Sequence, residues 1–485
     1  MGALLPVANV LGRLLMFFSL AYVLPIAGSL AYGDGVAGDF AVAMLLNFGV
    51  GLLLVFTTRR HHRELKIRDG FLLVTLSWLL MAGMATIPLM IVYTEMSFTN
   101  AFFEAMSAMT TTGATVMTGL DYAPQSINLW RHELQWLGGM GIIVLAVAVL
   151  PLLGVGGMQL YRAEYPGPMK ESRLTARIGD TAKALWIIYV ALTLACMASL
   201  RLAGMSAFDA ICHAFSAVAL GGFSTRDASI GAWDSPAIEA VLMAFMVASA
   251  LNFATHFHAW RARSVRAYFG DTEARAVVSL IVVSCVFIAG YLHLNGVYGD
   301  FGTALRHASF NLVSMALDCG FASVDYAQWP VFAPLFMLLL SCITVSSGST
   351  GSGIKMIRTM VLYKQGLREL HRLLHPNIAE TIKLGSIPVS NKIAFSVLGF
   401  IFLYLTTIVT MVLVMLLSGM DLLTAISAVV SCINNVGPGL GSVGPAGNYA
   451  GLTDFQKWAL LATMLLGRLE ILSVAVIFTG HFWRK

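Results

Sequence analysis

Charge is what this 485-residue chain most lacks: Asp, Glu, Lys and Arg make up only 11% of it. A soluble globular domain carries about 25%, so an ordinary water-soluble fold is excluded. Cysteine is sparse as well. Cys196, Cys212, Cys285, Cys319, Cys342 and Cys432 stand singly within or beside apolar segments, with no CxxC or CxxH. That spacing argues against a disulfide framework and reads as buried, reduced thiols. HExxH and GxSxG are missing, so no enzymatic activity and no catalytic cofactor are expected. His, Cys and acidic residues do not gather at ligand spacing, which leaves a side-chain metal site without support. A cleavable signal is not expected either, because the N-terminal apolar run outlasts a signal core, only Arg13 flanks it, and no clear cleavage site follows.

What is present is apolar surface in long runs, with a mean hydropathy of +0.79. Windows long enough to span a bilayer fall near residues 5–31, 38–57, 70–93, 128–158, 181–204, 236–260, 277–297, 328–345, 393–418 and 455–480. Between them lie shorter runs at 99–109, 207–219, 303–317 and 421–433. Eleven helical residues rise roughly 16 Å, about half of a bilayer core, so these runs must enter the membrane and return on the same side. Of the 30 Lys and Arg residues, 24 then fall on one side, in the basic stretches 57–68, 161–183, 261–275 and 355–392 and at the two termini. The positive-inside rule makes that side cytoplasmic, with both termini on it, and the four short runs dip in from outside.

The four short runs end alike: SAMTTTGAT, SAVALGGFS, SMALDCGFA and SCINNVGPG. Each has a serine six residues before a glycine, namely Ser107/Gly113, Ser216/Gly222, Ser314/Gly320 and Ser431/Gly437, and the glycines are 109, 98 and 117 residues apart. Such regularity implies an internal repeat: a two-helix prologue (1–68) and four pore repeats (69–180, 181–274, 275–390 and 391–485). The expected fold is an all-α polytopic membrane protein, two N-terminal transmembrane helices plus four span–half-helix–span repeats around a pseudo-four-fold central pore. A glycine after one amphipathic helix is ordinarily a C-cap. Four copies at one depth suggest instead a ring of backbone carbonyls that can replace an ion's water shell. The C-terminal ends of the half-helices would favour a cation there.

With the motifs TTTGAT, ALGGFST, LDCGFAS and NNVGPGLG, the sequence resembles the Trk/Ktr/HKT superfamily of potassium transporters, most closely its bacterial TrkH-type pore subunits, over essentially the whole chain. The resemblance implies potassium transport in a bacterial inner membrane. It implies a selectivity filter of Thr110, Thr111, Thr112 and Gly113; Ala219, Leu220, Gly221 and Gly222; Leu317, Asp318, Cys319 and Gly320; and Asn434, Asn435, Val436 and Gly437. Potassium would be held by their backbone carbonyls. It further implies a homodimer assembled with a cytosolic nucleotide-binding regulatory ring (TrkA-like), any nucleotide binding that partner. No copy has the full TVGYG of tetrameric potassium channels, so weaker discrimination against sodium is expected. Asp318, Asn434 and Asn435 break the four-fold pattern, either tuning ion entry or hydrogen-bonding behind the filter.

Two features lie beneath the glycine loops. SSGSTGSGIK, from Ser346 to Lys355, fails as a phosphate loop because Ile354 stands where lysine is required and no strand precedes it. It reads as a break in a span, around Gly348, Gly351 and Gly353, or as an ordinary loop at a helix end. The family resemblance favours the break, as a flexible pore-obstructing loop. Arg468 falls mid-span, where an isolated arginine costs about 2.5–3.5 kcal/mol. Glu470 lies on the opposite face of the same helix. Arg468 and Gly351 each follow their glycine, Gly437 and Gly320, by 31 residues. A gate formed by Arg468 and the 346–353 loop is one reading, a structural salt bridge the other. His213 and His307 read as packing residues, and His61–His62 as a solvated or lipid-headgroup patch. The basic segment 355–392 offers a docking surface for a soluble partner or for lipid headgroups; nucleic acid is not expected. A secondary transporter coupled to protons or sodium is the rival class, although parallel repeats and few titratable groups speak against it. A receptor or scaffold would leave the four loops unexplained.

Overall fold

The computed structural model describes residues 4–60, 65–152, 178–378, 380–385 and 387–483. His61–His62 and most of the basic stretch 161–183 lie outside the described residues. Among the described residues helices dominate, relieved only by a two-residue antiparallel pairing of Lys383–Leu384 with Ile387–Pro388.

The prologue is a helical hairpin, Leu5–Tyr32 against Ala37–Thr58. Lipid offers no hydrophobic force to press two helices together, so small residues must let them approach. Gly12 and Gly51 face each other so closely that a Cβ on either would stand 2.7 Å from the other's carbonyl oxygen. Asn9 donates to the Thr58 hydroxyl at 3.0 Å and Asn47 to the Leu15 carbonyl at 3.2 Å, adding polar ties across the hairpin. Trp130 anchors the hairpin to the first repeat: it packs on Tyr22, Phe18 and Phe40, and its indole N–H donates to the Ala85 carbonyl.

Among the described residues six helices are long and apolar enough to cross a membrane, eight if each of two bent pairs is one span. The half-helices are Phe98–Met109, Ala207–Ala219, Phe301–Ala316 and Leu422–Asn434. Each starts on a side-chain cap, Ser97, Ser206, Asp300 or Asp421, which accepts the backbone N–H three residues on.

The second spans depart from expectation. In the second repeat the helix is continuous only over Pro236–Ala250, and Phe253–Ala262 leaves at 98°. Asn252 causes this by capping the new helix through the Ala254 N–H. In the fourth, Asp454–Arg468 and Ile471–Phe478 meet at 112°, with Glu470 at φ 57°. Residues 236–260 and 455–480 are therefore not straight spans, and Arg468 ends a helix instead of sitting within one. In the third repeat, helix Phe332–Ser341 stops one turn before the Gly/Ser-rich stretch, and regular structure resumes only at Met356–Leu374.

Candidate ion pathway

The four glycine loops share one backbone conformation. In each, the residue two before the glycine is left-handed: Thr111 (φ 54°), Leu220 (54°), Asp318 (61°) and Asn435 (58°). The N–H of the next residue, at Thr112, Gly221, Cys319 or Val436, then donates to the signature serine's carbonyl at 2.8–2.9 Å. The left-handed residue's own N–H reaches the carbonyl of Ala108, Ala217, Met315 or Cys432. This is the Schellman helix terminus, so the cap is the residue at −2 and the glycine serves another purpose. The serine acts through its carbonyl. Of the four serine hydroxyls only that of Ser216 has a partner, the Gln135 amide oxygen at 2.6 Å, and those of Ser107, Ser314 and Ser431 are buried without one.

The purpose of the glycines appears between loops. All four have positive φ, 78° at Gly113, 72° at Gly222, 86° at Gly320 and 101° at Gly437. A Cβ on Gly113 would run into the carbonyl of Gly221, one on Gly222 into that of Cys319, one on Gly320 into that of Val436, and one on Gly437 into that of Thr112. Each contact passes to the next repeat and the fourth returns to the first. The loops therefore close into a ring in which each glycine meets the backbone carbonyl of the next repeat. A cavity of about 90 Å³ sits on this ring, lined by the four glycines together with Thr115, Arg131, Ser224 and Tyr449.

Polar residues behind the ring fix each loop to its half-helix. Three residues before each signature serine stand Glu104, His213, Asn311 and Ala428. Glu104 accepts from the Thr115 hydroxyl and the Val116 N–H. His213 meets the Ser224 hydroxyl at 2.9 Å, and Asn311 pairs with Ser323 through both its hydroxyl and its N–H. In the fourth repeat, where Ala428 offers nothing, the adjacent Ser427 exchanges bonds with the Leu440 backbone. Glu104 is also ion-paired with Arg131 at 2.8 Å, both at most 1% exposed. Arg131 lies over the Phe223 ring and reaches the Ser224 carbonyl, joining repeats 1 and 2. Composition alone does not flag this pair; the signal was a charged residue inside each of the runs AFFEAMSA and LWRHELQW.

Other ring residues are held from outside. Thr110 and Thr112 share a hydroxyl bond, Gln135 donates to the Gly221 carbonyl, and Tyr449 donates to that of Gly437. Asn435 donates to the Thr112 hydroxyl and the Met464 carbonyl. Asn434 donates to Ser341 and accepts from Tyr404. Ala219 and Leu317 close their half-helices. His307 stacks on Tyr298. Among the described residues no group of three metal-ligating side chains occurs.

Beneath the ring, residues 344–352 are buried apart from half-buried Gly348, with Thr350 1% exposed. A surface loop would leave its backbone to water; here it is stitched to protein. Ser346 and Thr350 donate backbone N–H groups to Ala250 and Ser249, and Phe253 donates to the Gly348 carbonyl. The break in the third repeat thus pairs with the break in the second. Its upper side touches three half-helix ends: Thr350 donates to the Val218 carbonyl, Ser352 N–H to Asp318, and Gly353 lies under Asn434. Gly351 packs on Val345. Arg468, about 6 Å beyond the ring-level Met464, donates to the Thr350 carbonyl at 2.8 Å and to the Gly138 carbonyl of repeat 1 at 2.9 Å. Carbonyls, not a carboxylate, receive it. Glu470 turns the other way and pairs with Lys355 at 3.0 Å and Arg358 at 2.8 Å. Structure therefore brings Arg468 and the 346–353 segment together and gives Glu470 cations from the third repeat.

Comparison with known proteins bears on this arrangement. Residues 38–485 match the model of the family TrkH, described as a cation transport protein. The chain is 46% identical over 486 residues to the Trk system potassium uptake protein TrkH of Halomonas elongata, with 99% of both chains covered. It is 43% identical over 485 residues to that of Escherichia coli, again with 99% of each covered. The crystal structure of the potassium transporter TrkH from Vibrio parahaemolyticus superposes with a TM-score of 0.91 at 42% identity, over 99% of both chains.

Proposed function

The chain belongs to the TrkH family of cation transport proteins, and from that premise we propose that it takes up potassium through a gated, channel-like pore. The observation that carries the reading is the closed ring of four glycines against four carbonyls. Its carbonyls replace the ion's hydration shell, and the four half-helices direct their C-terminal partial negative charge at it. Thr110 to Gly113, Ala219 to Gly222, Leu317 to Gly320 and Asn434 to Gly437 form the filter. The segment holding Gly348, Gly351 and Gly353 closes the path below, with Arg468 clamping it and opposing a cation by its charge. Both termini and the 355–392 segment face the cytoplasm. There a nucleotide-binding regulatory subunit docks, in keeping with the Trk system named for the relatives, and two copies of the chain form the assembly.

A second reading, coupled transport, draws on Glu133, a buried carboxylate whose Oε2 has no partner and which lies within a span, where such groups relay protons. One experiment separates the two: tracer rubidium uptake into liposomes loaded with potassium, with sodium and lithium as competitors and pH varied. Uptake blocked by potassium, weakly by sodium and indifferent to pH supports the passive pore; uptake that follows an imposed proton gradient supports coupling. Arg468→Ala should raise uptake about tenfold or more, since each charged hydrogen bond is worth about 1.5–3 kcal/mol. Unchanged uptake in folded protein removes the gating role.

A further inference from the structure

We propose that Glu273 is a positioning residue of the gate, one carboxylate that clasps both ends of the break and so keeps it shut. The inference rests on the reading of that break as the gate.

Glu273 is the second residue of helix Thr272–Leu294 and only 6% exposed. Its own helix does not need it, because Asp271 already caps the Glu273 and Ala274 N–H groups at 2.9 and 3.3 Å. Glu273 Oε1 instead accepts the Ser347 N–H at 2.7 Å and the Ile357 N–H at 3.1 Å. These donors lie ten residues apart and flank the segment with Gly348, Gly351 and Gly353. Ile357 belongs to the first turn of helix Met356–Leu374, whose capping position, Lys355, supplies no side-chain cap. First-turn N–H groups have no partner within their own helix, so the carboxylate acts as the cap that this helix lacks. One oxygen thus sets the separation of the two ends of the break.

The charged groups near Glu273 are Asp271, at the start of its own helix, and Lys355, at the end of the break. Lys355 is engaged by Glu470, and among the described residues no cation lies within 4.0 Å of Glu273. Its hold is therefore one of reach and backbone bonding. Withdrawing the carboxylate leaves two buried N–H groups without their acceptor, a state that a buried amide does not tolerate. They regain partners only if the segment moves toward water.

Glu273→Asp keeps the charge and shortens the reach by one methylene, whereas Glu273→Gln keeps the reach and removes the charge. Rubidium uptake into liposomes is measured for both beside Arg468→Ala, on protein that elutes as a folded species. Glu273→Asp should raise resting uptake about tenfold and Glu273→Gln about two- to threefold, with half-saturation and potassium–sodium competition unchanged in both. Glu273→Asp at the unaltered level beside a raised Arg468→Ala overturns the inference while sparing the gate; both at the unaltered level overturn the gate reading with it. A larger rise in Glu273→Gln than in Glu273→Asp would assign the effect to charge, and a changed potassium–sodium competition would assign it to the filter. Either result overturns the clasp.

Discussion

The outer and inner tiers of this molecule treat its four-fold repetition in opposite ways. At the ring, four loops with unlike side chains, TTTG, ALGG, LDCG and NNVG, adopt one backbone conformation and make the same contact with their neighbour. One tier below, three second spans break at different residues by different means: an asparagine cap at Asn252, an irregular segment at 342–355, and a left-handed Glu470. A coordinating ring of the kind proposed above needs equal oxygens from four sides, and backbone can supply them whatever the side chain. An obstruction needs one part that differs from the rest. Repetition serves the first requirement and has to be broken for the second.

Substitutions can set the tiers against each other. The largest effect is expected for Gly222→Ala, whose Cβ would meet the Cys319 carbonyl at a positive φ, a fixed backbone atom in a conformation that L side chains disfavour. Rubidium uptake should fall to background with protein still in the membrane. Gly351→Ala in the inner tier meets chiefly the Val345 side chain, not a backbone carbonyl, and should keep measurable uptake; equal loss in both would erase the difference between the tiers. Next comes Glu104→Ala, which leaves Arg131 buried without its partner and should destabilise the protein by about 3–5 kcal/mol. The equivalent neutral strut, Asn311→Ala, should cost about 1–3 kcal/mol, and thermal unfolding of the two side by side tests the ranking. Smallest is Asp421→Ala at the fourth half-helix cap, about 1 kcal/mol, which should lower the unfolding temperature slightly and leave uptake near that of the unaltered chain.

Much of the outer tier was legible because it is written locally. The run 207–219 is the helix Ala207–Ala219, and the other three half-helices differ by a residue or two at their ends. The serine–glycine spacing is legible for the same reason: a helix terminus joins residues five apart. The regular spacing argued against the glycines as mere caps, but nothing marked the residues that do cap, because Thr111 and Leu220 are types that propensity would not place in a left-handed conformation, unlike Asp318 and Asn435. The inner tier was mostly hidden. VASALNFATH contains neither proline nor glycine, so nothing local announces a 98° bend at Leu251–Asn252. Arg468 was visible as an anomaly, but its acceptors, the carbonyls of Thr350 and Gly138, are 118 and 330 residues away. Glu273 carries no signal at all, since an acidic residue in the first turn of a helix is ordinary.

The ring's closure within one polypeptide has a consequence for how such a pore can be altered. In a channel assembled from four identical subunits, any coding change arrives in all four quadrants at once. Here Thr112, Gly221, Cys319 and Val436 are separate positions in one chain, so a single change touches one quadrant and leaves three as they were. If the ring is the filter proposed above, its selectivity can be adjusted in quarter steps, and the third quadrant already differs from the others in a carboxylate, Asp318, that accepts the Ser352 N–H of the segment beneath it.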